Sequence, residues 1–343
     1  LASFALRSGR ASLERLEKWF GLPHPYEKID LVAVPDFEFG AMENAGAVFF
    51  RETALLLDPK TSTVGEQKRV AEVVAHELSH MWFGNLVTMA WWDDLWLNES
   101  FATWMAYHVI DDWKPDWGMW RGFRAGTAAA LQMDALADTH PVYCVVHDVD
   151  RATENFDLIT YEKGAAIVRM IERGLGPAFR RGVRRYIRDH REGNTVAADL
   201  WAALSEASGT DVLSMAGAWI EQAGHPLVEV RRTEDGRHAR LEQRPFRIER
   251  RRGAIDPDAR WPIHWAGRAL GRRGTSTRIE APLRGRRQRA GIPAGSRGKP
   301  LYGNADQGTF CRTLHTPDEL SAIGGRVDAL EPVERMGLAD DAW

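Results

Sequence analysis

His76 and His80 stand four residues apart with Glu77 beside the first, and Glu99 follows nineteen positions after His80. On a helix, residues i and i+4 share a face, so both imidazoles can address one cation. Glu77 lies about 100° round the same helix and is badly placed as a further ligand. It can reach a water on the ion, which is where a general base belongs. The third ligand must come from elsewhere, and Glu99 opens a second helical pattern at a workable distance. Two histidines and one carboxylate leave a zinc ion one vacant position for water, the donor set of a catalytic site rather than a structural one. The plainer reading of the pentapeptide is an amphipathic helix whose histidines face water. The run Val70-Ala71-Glu72-Val73-Val74-Ala75 argues against that reading, because it is apolar on most faces and belongs in a core. Histidines and a glutamate buried there are costly unless they find partners, and a metal is the simplest one.

Those side chains need elements to hold them. The pattern predicts a helix over 70–83 for the histidines and another over 98–109, with Glu99 in its first turn, where the helix dipole favours a carboxylate. Strands are expected over 28–34 and 47–50, with Gly40 to Gly46 near an edge between them. Further helices are expected over 117–137, 161–173 (capped by Gly174), 177–191, 196–207 and 212–222. From Leu227 the pattern changes to short alternating runs separated by turn signals such as Asp235-Gly236, which reads as a small β-sandwich to about His315. Residues 268–299, rich in arginine and glycine, fit that pattern poorly and read as a flexible loop or a sequence error.

A second string, Gly40-Ala41-Met42-Glu43-Asn44, lies upstream of the histidines, and a third, Tyr161-Glu162-Lys163-Gly164-Ala165, lies downstream. With both, the chain resembles the gluzincin aminopeptidases of the M1 family. Their marks are G-A-M-E-N, H-E-x-x-H with a glutamate eighteen intervening residues further on, and a Y-x-K-G-A stretch. The resemblance implies one Zn2+ held by His76, His80 and Glu99, Glu77 as general base, and Tyr161 as donor to the oxyanion of the tetrahedral intermediate. It also implies an edge strand at Gly40, Ala41, Met42, Glu43 and Asn44 lining the substrate cleft, with Glu43 binding the free α-amine of a peptide. An α-amine has a pKa near ~8 and is largely cationic at neutral pH, so a carboxylate in a partly dry cleft holds it by a charge-assisted hydrogen bond. Gly40 and Ala41 are expected to align the peptide backbone and Met42 to line the pocket for the first side chain.

The expected class is α+β: a thermolysin-like zinc-peptidase domain, mostly helical, over 1–225, a β-sandwich over 226–315, and the start of a helical domain over 316–343. Asn304 to Phe310 resembles the segment that ends the family's sandwich. M1 proteins usually begin with a large β domain and continue into a helical one, so the chain is expected to be shortened at both ends.

Composition narrows the classes further. The 343 residues carry a net charge of −3, and 44% are apolar, enough for two or three cores. No apolar run is long enough to span a membrane. Cys144 and Cys311, far apart and expected in different domains, suggest neither a disulfide framework nor a cysteine metal site, and a reducing cytoplasm is the default location. The arginine stripe at 180, 181, 184, 185, 188 and 191 has helical spacing; a solvated helix face suits a nearly neutral chain better than a nucleic-acid interface. The tryptophans between Trp82 and Trp120 read mostly as core packing, His108, His140 and His147 as structural, and Glu162 with Lys163 as a pair orienting a helix start. The expected partners are peptides with a free N-terminus. Competing readings are an endopeptidase, a lipid-epoxide hydrolase of the kind found among some M1 relatives, an inactive fragment and a non-catalytic scaffold; the last usually loses the zinc ligands, which are intact here.

Overall fold

The computed structural model describes residues 1–249, 253–272 and 274–342. Contacts divide the chain into two compact units, each woven from separated stretches. Leu1–Gly122, Val145–Phe156 and Leu175–Leu213 make the first; Phe123–Cys144, Asp157–Gly174 and Ser214–Trp343 make the second. Three stretches read from the sequence as part of the zinc domain, 123–144, 157–174 and 214–225, group with the later strands. Cys144 and Cys311 are both buried free thiols, and both fall in the second unit.

In the first unit, helix Ser3–Phe20 ends at Gly21, whose φ of 69° lies in the left-handed region and turns its N–H back to Glu17. The last carbonyls of that helix are met by arginines. Arg180 and Arg184, on helix Pro177–Asp189, donate to the Trp19 carbonyl over 2.9 and 2.8 Å, and Arg184 also donates to that of Lys18 over 2.7 Å. The basic stripe therefore serves in part as a helix cap rather than simply facing water. Gly182 on the same helix is required by a close approach: a Cβ there would lie 2.9 Å from Leu204 Cα.

A three-stranded sheet has Ala47–Arg51 at its centre, Asp30–Val34 parallel on one side and Ala41–Met42 antiparallel on the outer side. Ala41 pairs with Phe50 and Met42 with Phe49, so the expected edge strand is present but only two residues long.

The histidine helix spans Val64–Ser79. It starts six residues earlier than its apolar run suggests because Thr63 and Glu66 form a reciprocal capping box, and it stops at His80 rather than at Phe83. The glutamate helix spans Leu95–Trp113 and is buried along most of its length. Glu99 sits in its second turn, not its first, so the helix dipole contributes less to it than expected. Aromatic contacts lock these helices: the Phe83 ring stacks on Phe101 at 3.6 Å, Phe20 stacks on Trp82 at 4.9 Å, and Trp19 meets Trp104 edge-on at 5.7 Å. Trp82, Trp96 and Trp104 are fully buried core residues, whereas Trp91 and Trp92 are exposed.

The second unit holds two sheets. Pro226–Arg232 and His238–Pro245 form the centre of the four-stranded one, flanked by Arg312–His315 and Arg287–Gly291; Ile263–Ala269 lies between Leu301–Tyr302 and Thr277–Leu283 in the other. Residues 268–299 are thus not a loop. Thr277–Leu283 alternates buried and exposed positions, and its outward arginine is neutralised locally: Arg278 pairs with Glu280, as Arg286 and Arg287 pair with Glu242. Charge on the solvent face masked the period-two pattern. Helices Pro317–Gly324 and Pro332–Ala342 follow, with Leu270, Tyr302, Ile323 and Leu330 in one apolar cluster. Helix Gly164–Leu175 runs past Gly174, the expected cap. Among the described residues no helix is long and apolar enough to cross a membrane.

Candidate metal centre

The first unit brings His76, His80 and Glu99 to one point. His76 Nε2 and His80 Nε2 are 3.0 Å apart, and Glu99 Oε2 lies 3.1 Å from the first and 3.5 Å from the second. A tetrahedral zinc with bonds near 2.05 Å sets its ligand atoms roughly 3.3 Å apart, so the triangle has the size of one face of such a site. His80 Nδ1 lies 3.0 Å from the Phe83 carbonyl. A carbonyl only accepts, so Nδ1 carries the proton and Nε2 presents a lone pair. Thr103 Oγ1, 3.4 Å from His76 Nδ1, can do the same for the other ring. Two lone pairs and a carboxylate oxygen then converge, and only a cation satisfies all three.

Charge points the same way. Burial disfavours a protonated His80, but the carboxylates of Glu43 and Glu99 outweigh it and push the imidazole up to about 10. Burial alone would raise the Glu99 carboxyl, yet the two histidines bring it below the usual carboxylate range. Burial, with Glu43 and Glu99 adding to it, holds the Glu77 carboxyl well above that range. Three glutamates beside two imidazoles call for positive charge, which a divalent ion supplies without a proton. The residues present therefore fit a zinc ion.

Glu77 is buried, and its carboxylate, that of Glu43 and a ring nitrogen of His80 lie within 4.8 Å of one another. Glu77 stands outside the triangle, as its place on the helix requires. Glu43 Oε1 is 3.8 Å from His80 Nδ1. Glu43, just past strand Ala41–Met42, is tethered to the loop after the histidine helix by Asn85, whose Nδ2 donates to the Glu43 carbonyl over 2.8 Å. The Gly40 carbonyl accepts from Arg51 N, Ala41 is half-buried, and Met42 and Asn44 are exposed.

Sequence reasoning missed the residues that aim the ligands. Gly84 has φ 131°, and a Cβ there would meet His80 Nδ1 at 3.3 Å; a glycine four residues past a metal-type histidine was the available signal. The accepting Phe83 carbonyl is backbone, and the Asn85 side chain meets a backbone carbonyl 42 positions away, so neither carries a signal in the sequence.

Tyr161 belongs to the second unit. It is half-buried in a π-helical turn, Ile159–Lys163, that leads into helix Gly164–Leu175. The expected Glu162–Lys163 pair gives way to another: the fully buried Lys163 pairs with Asp134 at 3.0 Å, and the Glu162 carboxylate lies over Gly126. His108 packs on Trp104, and His140 bonds Asp157.

Residues 4–219 match the model of the Peptidase family M1 domain. The chain belongs to peptidase family M1. Aminopeptidase M1-A of Oryza sativa subsp. japonica is 46% identical over 244 residues, 71% of this chain and 28% of that protein. Leucyl aminopeptidase of Saccharolobus solfataricus is 46% identical over 247 residues, 71% of this chain and 31% of that protein. Aminopeptidase 2 of Candida albicans is 37% identical over 348 residues, covering 100% of this chain and 37% of that protein. The chain spans about a third of the length of the curated relatives that it matches.

Proposed function

We propose that this M1-family chain carries the catalytic centre of a zinc aminopeptidase, which removes the N-terminal residue from peptides with a free amine. The convergence of His76, His80 and Glu99, with Glu77 buried beside them, is the observation that supports it. Those three residues would hold the ion, and a zinc there, when bound, acidifies water and polarises a carbonyl.

The protein groups would do the rest. Glu77 takes the proton from the attacking water as it adds to the first peptide carbonyl, and then delivers it to the leaving amine. Its burial suits that role, because a carboxyl held above its usual range both accepts and returns a proton near neutrality. Tyr161 is the oxyanion donor, an assignment that rests on its match to the Y-x-K-G-A stretch. Glu43 anchors the substrate amine, Gly40, Ala41 and Asn44 align the peptide along the edge strand, and exposed Met42 borders the first side chain. The anchor makes the activity exopeptidic, since only a chain end brings a cation to Glu43.

A panel of aminoacyl-aminomethylcoumarins tests this, with and without a chelator and beside N-acetylated counterparts. Zinc-dependent release from free-amine substrates alone is expected. Cleavage of the acetylated peptides would point to an endopeptidase, and silence from a chain holding one equivalent of zinc to an inactive piece of a larger enzyme.

A further inference from the structure

The turn that carries Tyr161 is held from both sides by one short stretch of the second unit. A π turn is wider than an α turn, is uncommon, and needs support from outside its own hydrogen bonds. On the upstream side, Asp157 Oδ1 accepts from the backbone N–H groups of Ile159 and Thr160 at 2.9 and 3.2 Å, and Asp157 Oδ2 is fixed by His140 Nε2 at 2.8 Å. On the downstream side, Lys163 Nζ reaches Asp134 Oδ2 at 3.0 Å and the Gly224 carbonyl at 3.0 Å. Asp134 is itself fixed: its Oδ1 accepts from Thr139 Oγ1 at 2.8 Å and from Gly224 N at 3.0 Å. Asp134, Thr139 and His140 lie within seven residues of chain, just after the helix Met119–Met133.

Stability alone does not account for the downstream anchor. A fully buried ion pair is generally no better for stability than a well-packed apolar pair, and its clearest use is to select one geometry over others. Here both partners are fully buried, and the lysine lies two residues beyond the tyrosine.

We propose that residues 134–140 clamp the π turn and set the direction of Tyr161, with Asp134 and Lys163 as positioning residues on one side and His140 and Asp157 on the other. The inference rests on Tyr161 being the oxyanion donor. The lysine acts through the tyrosine and does not touch substrate.

The test is a mutant cycle on the zinc-loaded chain with an aminoacyl-aminomethylcoumarin. Lys163→Met alone would strand a buried carboxylate, so the variant of choice is Asp134→Asn with Lys163→Met, which removes both charges together. That pair should lower kcat about tenfold with KM within about twofold, and should lower it no further in a Tyr161→Phe background. Amide hydrogen exchange at 159–163 should rise in the pair, while that of the histidine helix stays unchanged. Equal, multiplying losses in both backgrounds, or unaltered exchange at 159–163, would overturn the clamp. If Tyr161→Phe itself leaves kcat intact, the oxyanion assignment fails instead, and the exchange measurement alone decides whether the turn is clamped.

Discussion

The side-chain amide of Asn85 donates to the backbone carbonyl of Glu43 across 2.8 Å. A loop that follows the histidine helix thereby holds the residue just past the edge strand, whose carboxylate is assigned to the substrate amine. One hydrogen bond of this kind is worth about 1 kcal/mol. Asn85→Ala should therefore raise KM for free-amine substrates roughly fivefold and change kcat less, as steady-state kinetics would show. A kcat loss at constant KM would mean that the tether serves the metal ligands rather than the amine.

Glu77 and Glu99 are both buried glutamates near the histidines, yet only Glu99 belongs to the nitrogen-oxygen triangle. The two should separate cleanly. Glu77→Gln is expected to bind one equivalent of zinc and to lose turnover by roughly 10²–10⁴-fold. Glu99→Gln should lose zinc itself. Elemental analysis after dialysis, paired with the coumarin assay, distinguishes the outcomes, and retained activity in Glu77→Gln would reject it as the base.

Gly84 combines a φ of 131° with contact against His80. An alanine there is strained in its backbone, by about 1–3 kcal/mol, and pushes on the ring it touches. Gly84→Ala should weaken zinc affinity and lower the melting temperature of the apo chain. Calorimetry and metal competition would show both; a variant with normal zinc affinity would show that the ring has room to move.

His315, in the second unit, offers a pH test that does not involve the metal ligands. Burial pushes its imidazole down to about 4, against about 6.5 in an unfolded chain. Between those values the unfolded chain binds the proton and the folded one resists it. The contribution is therefore present above pH ~6.5 and is lost as pH falls through about 4, by no more than about 3 kcal/mol. The ring stacks on Tyr302, so His315→Phe keeps the packing and removes the titration. Urea melts between pH 4 and 7 should show a flatter stability profile in the variant, and parallel profiles would assign the acid sensitivity to other groups.

What could be read from the chain beforehand followed from residue chemistry. The i, i+4 histidines and the later glutamate are legible because their spacing is dictated by helix geometry, whereas the G-A-M-E-N edge is legible only through the family resemblance. The errors fell where backbone or remote charge decides. The apolar run marks the histidine helix only from Val70, whereas the Thr63–Glu66 capping box starts it six residues earlier. Thr277–Leu283 and Arg287–Gly291 are masked by arginines whose neutralising carboxylates are Glu280 on the same strand and Glu242 on a neighbouring one. The partner of Lys163 proved to be Asp134, nearly thirty positions upstream, rather than the adjacent Glu162, since only the folded chain reveals which carboxylate shares its dry interior. The π turn itself leaves no trace in the pattern of apolar residues.

The arginines that cap the first helix come from a stretch about 160 residues later. A ribosome emits this polypeptide from its N-terminus, so Lys18 and Trp19 leave the exit tunnel long before Arg180 and Arg184 exist. Until then the carbonyls of Lys18 and Trp19 lack these donors, although Trp82 and Trp104, which pack on Phe20 and Trp19, are made well before the two arginines. The first unit therefore gains this cap only once residues 177–189 have emerged, so helix Ser3–Phe20 is made early in synthesis and secured late.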